Sequence, residues 1–217
     1  IISFESDDFD LFIKKLVEEI EQISPSCMLH PNIYNAYNLG LEKIKQNSNV
    51  SELTREININ DKNYPKHVIS HVSAEKFMED KSLQHEVFGP CSLIVSCQDD
   101  KEMYAVIESL EGQLTGTVLA ENNDTFLTQE IIDALELKVG RIIFNGVPTG
   151  VEVCESMTHG GPYPASTDSR FTAVGINSIK RWLRPVSYQD FPQSLLPDEL
   201  KNENPLNIKR NINGITT

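Results

Sequence analysis

Between Ser92 and Phe144 the sequence alternates three short apolar runs with two amphipathic stretches, and this rhythm constrains the fold more than any other feature. Ser92–Ser96, Thr115–Ala120 and Arg141–Phe144 read as strands. Asp99–Leu110 reads as a helix with Asp99 as cap, Glu102 three residues on, and Met103, Val106, Ile107 and Leu110 facing inward. Thr125–Leu137 reads as a second helix carrying Leu127, Ile131, Ile132 and Leu135. Strand, helix, strand, helix, strand is a βαβαβ run, whose natural solution is a parallel sheet with helices on its faces. The expected fold class is therefore α/β. Ligands in such folds sit beyond the carboxyl ends of the strands, here near Cys97, Glu121 and Asn145.

The flanking segments fit one domain of this kind. Asp7–Ile23 places Phe9, Phe12, Ile13, Leu16, Val17, Ile20 and Ile23 on one helical stripe, with acids at its start and Pro25 as its stop. A second helix begins at Pro31, with Ile33, Tyr34, Tyr37, Leu41 and Ile44 as its apolar set. Gln46–Pro65 is polar and reads as loop with one short strand. His67–Val72 reads as a strand, and Ser73–Asp80 as a short helix capped by Ser73. Gly146–Ser169 is a long Gly/Pro/Ser/Thr-rich segment of the functional or disordered type. Ile179–Tyr188 reads as a strand, and Pro185 restricts it to an edge. The tail from Phe191 reads as extended.

Composition excludes several functions. The chain has 217 residues, 39% of them hydrophobic, enough for a sizeable core. No apolar run is long enough for a membrane span. A net charge of −13 repels phosphate backbones, so nucleic acid is not an expected partner. Cys27, Cys91, Cys97 and Cys154 show no paired spacing and read as reduced thiols, hence a cytoplasmic location. Ile1–Phe4 does not resemble a secretory signal. The missing initiator Met is expected to reflect a processed or truncated product.

Candidate chemistry is sparse on residue type alone. His67 and His71, four apart on a strand, stand about 13 Å from each other and lack a third ligand, so no metal is expected. Cys154 lacks a visible base and reads as an idle thiol. Asp168 and Arg170 form at most an exposed ion pair. There is no GxGxxG after a strand and no GxxxxGK[ST]. Glu86, just before the βαβαβ run, can accept two hydrogen bonds from a vicinal diol such as a ribose, and Phe88 can pack on a flat ring. An exposed Glu and a packing Phe are the alternative reading.

Glu86-Val87-Phe88-Gly89-Pro90 resembles the E-[IV]-F-G-P motif of the aldehyde dehydrogenase superfamily. Val139–Gly146 resembles that family's strand into the active-site mouth. Pro148–Cys154, His159–Ala165, Thr167–Thr172 and the ending Trp182–Val186, Phe191-Pro192 and Asn204–Leu206 are similar to its α-ketoglutaric semialdehyde (2,5-dioxovalerate) branch. The family's G-Q-x-C nucleophile motif is absent. Cys27-Met28-Leu29-His30-Pro31 resembles a segment downstream of that Cys, so the nucleophile is expected just upstream of Ile1 and none of the catalytic residues in this chain. The resemblance implies a C-terminal piece of an enzyme that oxidises an aldehyde to a carboxylate with NAD or NADP, inactive alone. It assigns Glu86 and Phe88 to the nicotinamide ribose and ring, and Val151, His159 and Gly160 to the substrate funnel. Residues 1–178 would form most of the catalytic domain. Residues 179–217 would hold an oligomerisation strand and tail, with Ile179–Tyr188 pairing subunits of a homodimer or homotetramer. A non-catalytic binding or assembly module on the same fold is the alternative.

Overall fold

In a computed structural model, the chain is described at residues 1–55, 57, 59, 61–121, 125–148 and 154–217. It divides into two compact units, Ile1–Ser178 and Ile179–Thr217. The first is built on a four-stranded sheet of β1 (Ile2–Phe4), β2 (Ser51–Glu52), β3 (Val68–Ser73) and β4 (Cys91–Cys97), in the order β1-β4-β3-β2. β4 runs parallel to both β1 and β3, and β2 pairs antiparallel with β3.

Alternation along β3 and β4 sends their side chains to two layers. Ile69 and Ile94 face α1 (Asp7–Gln22), where Phe9 is buried and Ile13, Leu16, Val17 and Ile20 close over it. Phe12 and Ile23, expected on the same stripe, are exposed. On the opposite face Val72, Val95 and Cys97 meet α3 (Ala74–Glu79) and α4 (Asp100–Ser109). Val68 on that face meets α2 (Pro31–Gln46) through Tyr37 and Leu41. Helices thus cover both faces of a parallel-sheet core, as the sequence predicts.

The strand neighbours differ from the expected run. β5 (Gly116–Val118) and β6 (Ile142–Phe144) pair in parallel with each other across α5 (Thr125–Glu136), and no ladder joins β5 to β4 among the described residues. The reason is that both edges of β4 are taken, by β1 and β3. Continuity comes from packing instead: Val118, Leu135 and Val139 enter the same buried cluster as Val72 and Val95. At the end of β6, Asn145 takes a positive φ of 47°. Its side-chain amide prolongs the ladder, accepting from Ala120 N (3.0 Å) and donating to Ala120 O (2.9 Å).

The expected edge strand Ile179–Tyr188 is not a strand. Ile176–Trp182 winds as a 3-10 helix, and no ladder follows it through Tyr188. A strand needs a partner for its backbone groups, and Pro185 supplies no N–H. The second unit is otherwise extended, with 3-10 turns at Gln193–Leu195 and Asp198–Leu200. It ends in a hairpin of β7 (Asn211–Ile212) and β8 (Ile215–Thr216) around Asn213-Gly214, both at positive φ.

Candidate functional site

The segment Asp80–Cys91 is the approach to β4, and its local chemistry decides where Glu86 and Phe88 point. Asp80 caps a 3-10 turn at Lys81–Gln84, its Oδ1 accepting from Ser82 N at 2.9 Å. Gln84 ties that turn to the end of α4: Nε2 donates to Ser109 O (3.2 Å) and Oε1 accepts from Glu111 N (3.2 Å). His85 ends the turn with an extended backbone (φ −71°, ψ 136°), and the chain bends again at Gly89-Pro90, where Cys91 N donates to Gly89 O (2.8 Å). Val87 turns inward and joins the Tyr37–Leu41–Val68 cluster, while Glu86 and Phe88 are exposed, Phe88 at 67%.

Both line an open groove of about 820 Å³ together with Val87, Val68, Leu41, Cys27, Met28 and Ile33. Glu86 and Phe88 stand on either side of the inward Val87 and are both exposed to this groove. An accessible carboxylate and an accessible aromatic side chain thus line the same groove.

The seat beneath them belongs to α2. Tyr37 is completely buried, and its hydroxyl reaches Lys66 O (2.8 Å) and Pro90 O (3.2 Å). Burial pushes its pKa well up, so the phenol stays a donor. Pro90 O also accepts from Val68 N (3.0 Å), which starts the β3–β4 ladder. Tyr37 was legible only as one apolar residue of a helical stripe; nothing in its spacing marks it as the anchor of the Glu86–Pro90 segment.

The remaining candidates are placed elsewhere. Val151 lies outside the described residues. His159 and Gly160, expected in the substrate funnel, do not line the groove with Glu86 and Phe88. The His159 amide donates to Thr172 Oγ1 (2.8 Å) and its carbonyl accepts from Ala173 N (2.9 Å). Gly160 is buried, and a Cβ on Gly140 would stand 2.5 Å from its carbonyl carbon. Close backbone packing of Gly160 against Gly140, just ahead of β6, holds this segment there.

His71 Nε2 lies 3.0 Å from Ser96 Oγ, and Ser96 donates to Glu5 Oε1 (2.8 Å); His67 lines the groove instead. Among the described residues no three His, Cys, Asp or Glu side chains are grouped as a metal site. Burial raises the Cys91 thiol pKa, and burial followed by Glu102, Glu5 and Asp99 raises that of Cys97 to about 11. Neither is an activated nucleophile. Cys154 is exposed beside Ser156, and Arg170 grips Asp168 at the surface with two hydrogen bonds (2.9 and 2.6 Å).

This architecture is that of the aldehyde dehydrogenase fold. The NAD-bound Δ-pyrroline-5-carboxylate dehydrogenase of Mycobacterium tuberculosis matches 90% of the chain with a TM-score of 0.65 at 16% identity, covering 38% of that enzyme. The succinic semialdehyde dehydrogenase of Streptococcus pyogenes, solved with NADP+, matches 74% of the chain with a TM-score of 0.59 at 15% identity, covering 35% of it.

In sequence the chain is homologous to α-ketoglutaric semialdehyde dehydrogenases. It is 38% identical to the Acinetobacter baylyi protein over its whole length, covering 41% of that protein. It is 40% identical over 97% of its length to the second such enzyme of Azospirillum brasilense, covering 40% of it. The chain thus spans about two fifths of the curated relatives it matches. No protein-family model matches it.

Proposed function

We propose that this chain is part of an NAD- or NADP-dependent aldehyde dehydrogenase that oxidises α-ketoglutaric semialdehyde to α-ketoglutarate. The observation that supports the reading is the joint exposure of Glu86 and Phe88 along one groove, with Val87 between them packed inward. The 38% and 40% identity to curated enzymes of that name supports the choice of substrate.

The groove fits the nicotinamide-ribose end of the dinucleotide. A ribose offers two neighbouring hydroxyl donors, and the Glu86 carboxylate, exposed at the surface, offers two acceptor oxygens. The Phe88 ring beside it offers a flat apolar face. When bound, the nicotinamide is the hydride acceptor for the aldehyde. Glu86 fixes the sugar and Phe88 limits tilt of the attached ring. Both act by positioning, and a misplacement of about 1 Å at such a centre can cost on the order of a hundredfold in rate. The aldehyde-capturing thiolate is supplied outside this chain, which contains no G-Q-x-C motif, so the 217-residue chain alone is inactive.

The working enzyme is a homo-oligomer assembled through Ile179–Tyr188. Trp182, Leu183 and Val186 are 82%, 64% and 57% exposed, a concentration of apolar surface typical of an interface. Its compartment is the cytoplasm, in keeping with four cysteines that form no disulfide. Among the described residues no helix is long and apolar enough to cross a membrane. The test is an assay of the full-length protein with α-ketoglutaric semialdehyde and each dinucleotide. Aldehyde-dependent formation of NADH or NADPH is expected; a full-length protein inert with this and other small aldehydes contradicts the reading.

A further inference from the structure

We propose that α2 is the positioning element of the groove: Tyr37 and Gly40, one helical turn apart, set the outward projection of Glu86 and Phe88. The inference rests on the ribose-holding reading and deepens it by naming what aims the two side chains.

Residues three apart on a helix share a face. On that face of α2, a Cβ at Gly40 would stand 2.8 Å from Val87 Cγ1. A Cβ at Gly89 would stand 2.6 Å from Tyr37 Cε2 and 2.9 Å from Met28 Cε. Contacts this close do not occur between real atoms, so Val87 and Gly89 sit directly on the helix. Glycine inside a helix is unfavourable relative to alanine; at Gly40 it makes room for Val87.

Along this segment the burial alternates: Val87 packs inward on the Tyr37–Leu41–Val68 cluster, while Glu86 and Phe88 on either side of it are exposed. A rigid seat under residues 87 and 89 therefore dictates the direction of residues 86 and 88. The Tyr37 hydroxyl closes the device by holding Pro90 O and Lys66 O, one on each side of the entry to the ladder. Tyr37 and Gly40 touch neither sugar nor ring in this scheme and act through Val87 and Gly89.

The experiment uses the full-length protein with Gly40→Ala, Tyr37→Phe, Glu86→Gln, Val87→Ala and the pair Gly40→Ala/Val87→Ala. It reads the Kd for NAD+ and NADP+, the split between KM for dinucleotide and kcat, and deuterium uptake of the peptide covering residues 85–90. Gly40→Ala is expected to raise the dinucleotide Kd and KM at least fivefold and to speed exchange in that peptide. The added Val87→Ala should return at least half of the lost affinity, a rescue that general destabilisation would not produce. Tyr37→Phe should speed exchange in the same peptide while the chain remains folded. The proposal is overturned if Glu86→Gln raises the Kd but Gly40→Ala changes neither Kd nor exchange, or if Val87→Ala gives no rescue. If Gly40→Ala speeds exchange and is rescued while Glu86→Gln leaves both Kd values unchanged, the seat stands and the ribose reading fails.

Discussion

Gly89 lies directly against the ring of Tyr37, so close that a methyl group in place of its hydrogen would come within 2.6 Å of Cε2. The same ring is completely buried and its hydroxyl is shared between two carbonyls. The glycine of the Glu-Val-Phe-Gly-Pro stretch is thus explained by packing, independently of any ligand.

Gly89→Ala is accordingly expected to destabilise the chain by about 1–3 kcal/mol, the usual cost of overpacking a well-filled site. Tyr37→Phe keeps the ring and removes the hydroxyl, and should cost about 1 kcal/mol through the lost buried hydrogen bond to Lys66 O, Pro90 O keeping its bond from Val68 N. Urea midpoints at constant m measure both. A Gly89→Ala variant as stable as the parent would contradict the packing.

The four thiols should sort by exposure. Cys27 and Cys154 are exposed, Cys91 is half-buried and Cys97 is buried. A disulfide reagent at mildly alkaline pH should modify the first two rapidly, Cys91 slowly and Cys97 only after denaturation.

Cys97 also predicts a pH dependence. Its folded pKa is raised from 9.0 to about 11. A group raised in the folded state contributes stability that is fully present below its unfolded pKa and is lost as pH rises through the folded value. Stability should therefore decline between about pH 9 and pH 11, and Cys97→Ala should flatten that decline. Denaturant titrations across this range provide the comparison, and an unchanged slope would count against the assignment.

Asn145 combines a left-handed backbone with a side-chain bridge to Ala120. Asn145→Gly keeps the backbone and loses the bridge, at a cost of about 1–2 kcal/mol. Asn145→Ala loses the bridge and adds strain, so it should be the less stable of the two. Equal midpoints for the pair would remove the role of the positive φ.

Much of this structure is written locally. The α1 period, Pro31 at the start of α2, and Asp99 with Glu102 at the start of α4 each act within a turn. Asp99 Oδ1 accepts from Glu102 N at 2.9 Å, while Glu102 Oε2 reaches back to Gln98 N at 2.8 Å. What escaped was non-local. Ile2–Phe4 is too short to carry a period, yet it occupies the edge of β4 that β5 was expected to take. The pairing of β3 with β4 depends on which edges are free, which no single segment reveals. Asn213-Gly214 is a strong hairpin signal that a reading of the tail as merely extended passed over. Glu86 and Phe88 were visible through a motif; their seat on Tyr37 and Gly40 was not, because a tyrosine in an apolar stripe and a glycine in a helix look unremarkable until the facing segment is known.

The central claim is that the Glu86 carboxylate holds the nicotinamide ribose, and single-turnover kinetics of Glu86→Gln in the full-length protein test it most directly. Hydride transfer should slow tenfold or more while capture of the aldehyde proceeds at the parental rate. Parental rates for both steps, with unchanged dinucleotide affinity, would contradict it.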